Sequence, residues 1–146
     1  MPATTPFLTF NGNCRAAMEF YRDCFAADLF LLPYSQVPDL PPAAAAAPER
    51  IMHATLSVRS GPRSGDPILM AADTFPGAPY QAGNNFSVMV HCDSLEELER
   101  LYVALSASGD ATFPLQDTYW NARFGMLTDR FGTRWALNFP HPAPRS

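Results

Sequence analysis

In the segment CRAAMEFYRDCF, Cys14, Ala17, Met18, Tyr21, Cys24 and Phe25 fall on one stripe at helical spacing, while Arg15, Glu19 and Arg22 lie off it. This period predicts an amphipathic helix with Asn13 as its N-cap. A second stripe, Leu95, Leu98, Tyr102 and Leu105, follows a capping box of Ser94 with Glu97, and Gly109 is placed to end that helix. Moving the first helix by 81 positions lays Cys14, Ala17, Tyr21 and Cys24 onto Leu95, Leu98, Tyr102 and Leu105. Each helix follows a short apolar stretch, PFLTF (6–10) or FSVMV (86–90), and precedes strand-like segments only: 28–34, 51–59 and 67–72, then 111–117, 119–128 and 133–139. The chain thus reads β-α-β-β-β twice, as module 5–74 and module 84–140 of one domain spanning 1–146, with a linker at 75–84 and a tail, HPAPRS, at 141–146.

Between the second and third strands of the first module lies SQVPDLPPAAAAAPER (35–50). Its five alanines favour a helix, but Pro41, Pro42 and Pro48 bracket them tightly, so a mobile surface loop is expected, with a lid as one use.

Strand alternation sorts the side chains into two faces. Met52, Ala54, Leu56 and Val58 belong under a helix, opposite His53, Thr55, Ser57 and Arg59. Phe86, Val88 and Val90 form the same kind of apolar set, opposite Ser87, Met89 and His91. In the last strand Trp135, Leu137 and Phe139 face the core, and Arg134, Ala136 and Asn138 face away.

Composition narrows the partners. Ten Arg, no Lys and a net charge of −4 exclude a nucleic-acid surface. No apolar run reaches the roughly 20 residues of a membrane-spanning helix, and the N-terminus lacks a basic-then-apolar leader, so a cytoplasmic address is expected. Cys14, Cys24 and Cys92 have no metal-ligand spacing and are expected to be reduced, structural thiols.

The segments FNGNCRAAMEFYRDCF, IMHATL, ILMAAD and PLQDTYWNARFGMLTDRFGTRWALNF together resemble the PhnB-like branch of the vicinal oxygen chelate superfamily. That superfamily also contains glyoxalase I, extradiol dioxygenases and bleomycin- or fosfomycin-resistance proteins. The resemblance covers nearly the whole chain apart from the Ala/Pro loop and the tail. It implies an α+β fold in which two βαβββ modules form a curled eight-stranded mixed sheet, a cup with helices on its convex face, and it implies a homodimer. Metal-dependent relatives carry one His or Glu on each of four cup-facing strands. Transferred by motif, those positions fall on or next to Pro6, Met70, Asn85 and Ala136, none of which is a usual ligand except, weakly, Asn85, so neither metal nor cofactor is expected. Many relatives are labelled 3-demethylubiquinone 3-methyltransferase, but no glycine-rich nucleotide loop follows a strand here.

The expected function is binding of an unidentified small molecule in the cup. Candidate ligand-binding residues are His53, Thr55, Met70, Asp73, Asn85, Ser87, Met89, Trp120, Arg123, Arg134 and Asn138. Large aromatics with a few fixed donors make up a typical small-molecule site, although aromatic side chains more often serve the core. His53 is the candidate catalytic residue, since an imidazole can both accept and donate a proton. Two alternatives stay open: an isomerase- or lyase-type enzyme using His53 or an unconventional His53–Asp73 metal site, and a dimeric interaction module. The blander readings make Asp73 a turn former, His91 an exposed strand end and His141 a tail residue without a role.

Overall fold

The computed structural model describes residues 1–142, so the last four residues of the expected tail lie outside the described residues. The chain divides into two compact units, Met1–Gln81 and the chain from Ala82 onward. Each unit is one βαβββ module. The first contains β1 (Phe7–Phe10), α1 (Cys14–Phe25), β2 (Asp28–Pro33), a 3₁₀ turn (Tyr34–Gln36), α2 (Pro42–Ala45), β3 (Ile51–Ser57) and β4 (Pro67–Asp73). The second contains β5 (Val88–His91), α3 (Leu95–Ser106), β6 (Asp110–Asp117), β7 (Ala122–Thr128) and β8 (Arg134–Pro140). The strand orders, β1-β4-β3-β2 and β5-β8-β7-β6, repeat one another, and in each sheet the first pair is parallel and the others antiparallel. Among the described residues no helix is long and apolar enough to cross a membrane.

One face of each sheet is covered by its helix. The α1 stripe buries Cys14, Ala17, Met18, Tyr21 and Cys24, and beneath it lie Ala54, Leu56, Leu69 and Ala71 of β3 and β4. The α3 stripe buries Leu98, Leu101, Tyr102 and Leu105 against a sheet whose Leu127, Trp135 and Leu137 are buried. Gly125 permits that packing. A Cβ there would stand 2.9 Å from the Tyr102 ring and 2.8 Å from Leu115, so any side chain would lift α3 off β7. With the glycine in place, the Tyr102 hydroxyl donates to the carbonyls of Phe113 and Met126, binding helix to sheet.

A buried carboxylate organises each module. Asp73, at the end of β4, accepts from the backbone N–H groups of Gly12 and Cys14 through Oδ1 (2.7 and 3.1 Å) and of Ile51 through Oδ2 (2.8 Å). It therefore caps α1 from a distant strand, whereas Asn13 makes no side-chain cap, contrary to the sequence expectation. In the second module Asp129 accepts from Phe131 N–H and Thr133 N–H, closing the β7–β8 turn, and from the Trp135 indole at 2.9 Å. The Ser94 cap of α3 is as expected, with Glu97 N–H donating to Ser94 Oγ, and Glu97 returning an acceptor to Asp93 N–H. Gly109 serves by close approach: α3 ends at Ser106, Ser108 takes the left-handed conformation, and a Cβ on Gly109 would lie 2.5 Å from the Thr128 carbonyl oxygen.

Other boundaries differ from the sequence reading. The segment 35–50 is a structured Ω-shaped excursion: Tyr34 N–H donates to Arg50 O, Ser35 N–H donates to Pro48 O, and both Tyr34 and Ala44 are buried. Proline starts its one-turn helix at Pro42, since the missing N–H costs nothing at a first helical position. Strand β5 begins at Val88, which leaves Phe86 outside the sheet and 81% exposed instead of in the core. Met52 is half-buried, while Ile51 takes the fully buried place beside a register shift at Leu32/Pro33. Phe139 is likewise only half-buried.

Cys14, Cys24 and Cys92 are free and buried. Burial, reinforced by Asp73 for Cys14 and by Glu97 and Asp93 for Cys92, pushes both of those thiols up to about 12. Neither should react with a thiol reagent at pH 8 until the protein unfolds; rapid native-state labelling of either, read by mass spectrometry, would contradict this. The stability that the protonated thiols contribute is complete below the ordinary value of 9.0 and declines as pH rises towards 12, because only the unfolded chain releases their protons in that interval.

Candidate functional site

The face of each sheet away from its helix carries a matched row of side chains. In the first module the register places Phe7, Met70, Thr55 and Phe30 side by side across β1, β4, β3 and β2. In the second it places Met89, Ala136, Met126 and Phe113 across β5, β8, β7 and β6. The next row of the second sheet is His91, Asn138, Phe124 and Gln116. No helix covers these rows, and Phe7 and Phe30 are each more than half exposed.

In the first module His53 lies on this face with Thr55, two residues along the strand. Its Nε2 shares a 3.0 Å hydrogen bond with Thr55 Oγ1, and its ring centroid is 6.2 Å from that of Phe7. Met70 belongs to the same face. Asp73 does not: it shares the opposite, buried face with Leu69 and Ala71, and backbone donors occupy both of its oxygens. The alternation of β3 and β4 keeps His53 and Asp73 on opposite sides of the sheet, so the unconventional metal site left open as an alternative for that pair is not assembled.

In the second module Met89, Arg134 and Asn138 share the uncovered face. Trp120 stands in the β6–β7 turn instead of on the strand predicted over 119–128; Thr118 N–H donates to Ala122 O, and Asn121 takes a left-handed conformation. From there its ring stacks edge to face on Phe124, with centroids 5.4 Å apart, and Phe124 packs in the same manner on Phe113 at 5.8 Å. The Trp120 indole N–H reaches Asn138 Oδ1 at 3.4 Å, and the ring remains 47% exposed. Arg123 points away from this cluster, on the side of Gly125 and Leu127, and pairs with Asp117 at 3.6 Å. His141 also binds Asp117, at 2.9 Å, and this bond is the main reason that the exposed carboxyl sits below its ordinary range. Asn85 and Ser87 precede β5, where no strand pairing sets the direction of their side chains.

Phe113 and Met126 entered no sequence-based assignment of faces. The alternation of β6 is interrupted by register shifts on both sides of Phe113, which hides it from a period-two reading. For Met126 the signal was present: it alternates with Gly125 and Leu127, and it faces Ala136 across the ladder.

A family model described as 3-demethylubiquinone-9 3-methyltransferase matches residues 2–138. The chain belongs to that family. Protein PA1353 from Pseudomonas aeruginosa, a solved structure, is 37% identical, with a TM-score of 0.82 over 97% of this chain and 100% of that one. A Bacillus cereus PhnB protein, titled a putative 3-demethylubiquinone-9 3-methyltransferase, shares the fold at 24% identity and a TM-score of 0.73, over 94% of this chain and 99% of that one. A glyoxalase/bleomycin resistance/dioxygenase family enzyme from Burkholderia phytofirmans shares it at 16% identity and a TM-score of 0.61, over 95% and 100% of the two chains. The last two matches show that the chain has the fold of a PhnB protein and of a glyoxalase/bleomycin resistance/dioxygenase family enzyme, as the resemblance implied.

By the resemblance, the superfamily's ligand positions fall on or next to Pro6, Met70, Asn85 and Ala136, whose side chains are no usual donors to a divalent ion except, weakly, the Asn85 amide. Among the described residues no three His, Cys, Asp or Glu side chains come together in a way that could hold a metal.

Proposed function

We propose that this PhnB-like protein binds a small organic molecule on its uncovered sheet faces, without the metal of its metal-dependent relatives. The second module provides the principal contacts. The observation that carries this reading is the Trp120–Phe124–Phe113 stack: three large rings held edge to face on a surface no helix covers, beside the amide of Asn138. Rigid aromatic area with a few fixed polar groups is the usual composition of a ligand site, and three rings left to water would otherwise forgo their burial.

Methyl transfer, named in the family's description, finds no support in these residues. The turn between β1 and α1 has one glycine, whose N–H is given to Asp73 and whose Cα lies under the Arg50 guanidinium. The turn before α3 has none. Neither turn resembles a glycine-rich nucleotide loop. A second reading, proton transfer by His53, is favoured by that imidazole standing half-buried on the first module's uncovered face, oriented by Thr55. Chromatographic conversion of a bound compound into a product distinguishes an enzyme from a pure binder.

The test is a thermal-shift screen of aromatic, anionic and antibiotic compounds, followed by titration of each hit against tryptophan emission. Trp120 is exposed and Trp135 fully buried, so a ligand on the proposed face changes the Trp120 contribution. Trp120→Ala is expected to weaken binding at least roughly tenfold, as loss of an aromatic anchor does. A hit whose affinity is unchanged by this substitution would place the site elsewhere, and a screen without hits would remove the reading.

A further inference from the structure

Building on the small-molecule reading above, we infer that the second module's uncovered face takes a flat aromatic anion. Its acid group is held by Arg134, and its rings lie along β8 over the Met89 and Met126 side chains towards Asn138 and Trp120. Arg134 is half-buried and makes no hydrogen bond or ion pair among the described residues. Two other cations on its sheet and turn are engaged: Arg123 pairs with Asp117 and Arg130 donates to the Ala107 carbonyl. Around Arg134 the register brings Thr128 opposite, with the exposed Asp110 one strand further on in the same row, and the next row holds Ala136, Met126 and Met89, all uncharged. A guanidinium with its planar fork uncommitted beside apolar side chains suits a carboxylate, sulfonate or phosphonate.

The shape follows from residue sizes. Along β8 the uncovered positions are Arg134, Ala136 and Asn138, and the central methyl group lies between two longer Met side chains on β5 and β7. Ala136 is itself buried at 3% exposure, so the surface between the two ends is formed by Met89 and Met126, over about 13 Å from Arg134 to Asn138 at the usual rise of a strand. At its far end Asn138 accepts from Trp120 through Oδ1, which leaves the amide NH₂ as donor. Both ends therefore present N–H groups, and the ligand that satisfies them carries oxygen acceptors at both ends with rings between. The net charge of −4 opposes an anion only weakly. Charges beyond roughly 8 Å are screened at physiological salt, so the adjacent guanidinium decides the local sign.

4′-Methoxybiphenyl-4-carboxylate and its neutral carboxamide, each with an oxygen acceptor at both ends, test this as probes, by calorimetry and by tryptophan emission. The carboxylate should bind the native protein roughly tenfold or more tightly than the amide. Arg134→Gln should abolish that preference, weakening the carboxylate far more than the carboxamide, and Arg134→Lys should restore part of it. Equal affinities in the native protein, or a preference that survives Arg134→Gln, overturns the inference and leaves the small-molecule reading standing. Failure of both probes to titrate at millimolar concentration also overturns the inference; the broader reading falls with it only if the compound screen fails too.

Discussion

Asp73→Ala is expected to destabilise the protein by about 3–5 kcal/mol, which lowers the melting temperature by roughly 10–15 °C for a chain of this size. Hydrogen bonds to a charged group contribute about 1.5–3 kcal/mol each, and this carboxylate receives three, from Gly12, Cys14 and Ile51. The individual contributions do not add fully, because water can reach the Gly12 end once the side chain is gone. The Cys14 and Ile51 bonds are buried, so their N–H groups lose a partner where solvent cannot replace it. Asp73→Asn keeps one acceptor oxygen and should cost about half as much. Urea denaturation of the three proteins decides the matter: an alanine variant within about 1 kcal/mol of the native chain would show that α1 needs no cap from β4.

Trp135→Ala should be more damaging, at about 5 kcal/mol or above. Removing a fully buried tryptophan costs about 3–5 kcal/mol through lost transfer energy and the cavity left behind. The substitution also takes the indole donor from Asp129 Oδ2, and losing a buried hydrogen bond to a carboxylate adds about 1–3 kcal/mol. Since small domains are stable by only about 5–15 kcal/mol in total, the second module is expected to be largely unfolded near room temperature. Trp135→Phe separates the two terms: it retains most of the volume and loses only the indole bond, for roughly 2–3 kcal/mol. A Phe variant as unstable as the Ala variant would mean that the indole–carboxylate bond, not the packing, governs this core.

The two cores and these carboxylates also show where local pattern suffices. The α1 stripe and Leu98, Tyr102 and Leu105 of α3 were legible because apolar residues at helical spacing have no other way to be buried together, although Leu95 at the start of α3 is exposed and Leu101 is buried in addition; the alternation in β3 and β8 assigned Ala54, Leu56, Trp135 and Leu137 correctly. The capping of α1 was not legible. Its acceptor lies 61 residues from Gly12, and nothing near Asn13 signals that a distant strand has taken that role. Trp120 was read as a strand residue because its aromatic run looks continuous; the turn is created by Thr118, whose hydroxyl accepts from Ala122 N–H. For the candidate site, parity alone placed His53, Thr55, Arg134 and Asn138 away from the helices. It could not separate Arg123, whose commitment to Asp117 depends on cross-strand register.

The central claim is that the uncovered face of the second module binds an organic molecule with no metal bridging it. Methionine methyl NMR on chelator-treated protein tests this most directly, because Met89 and Met126 lie on that face and Met18 is sealed beneath α1. Addition of an aromatic ligand from the screen should shift the Met89 and Met126 methyl signals and leave Met18 in place. Signals that stay still, or that move only after a divalent cation is restored, would contradict it.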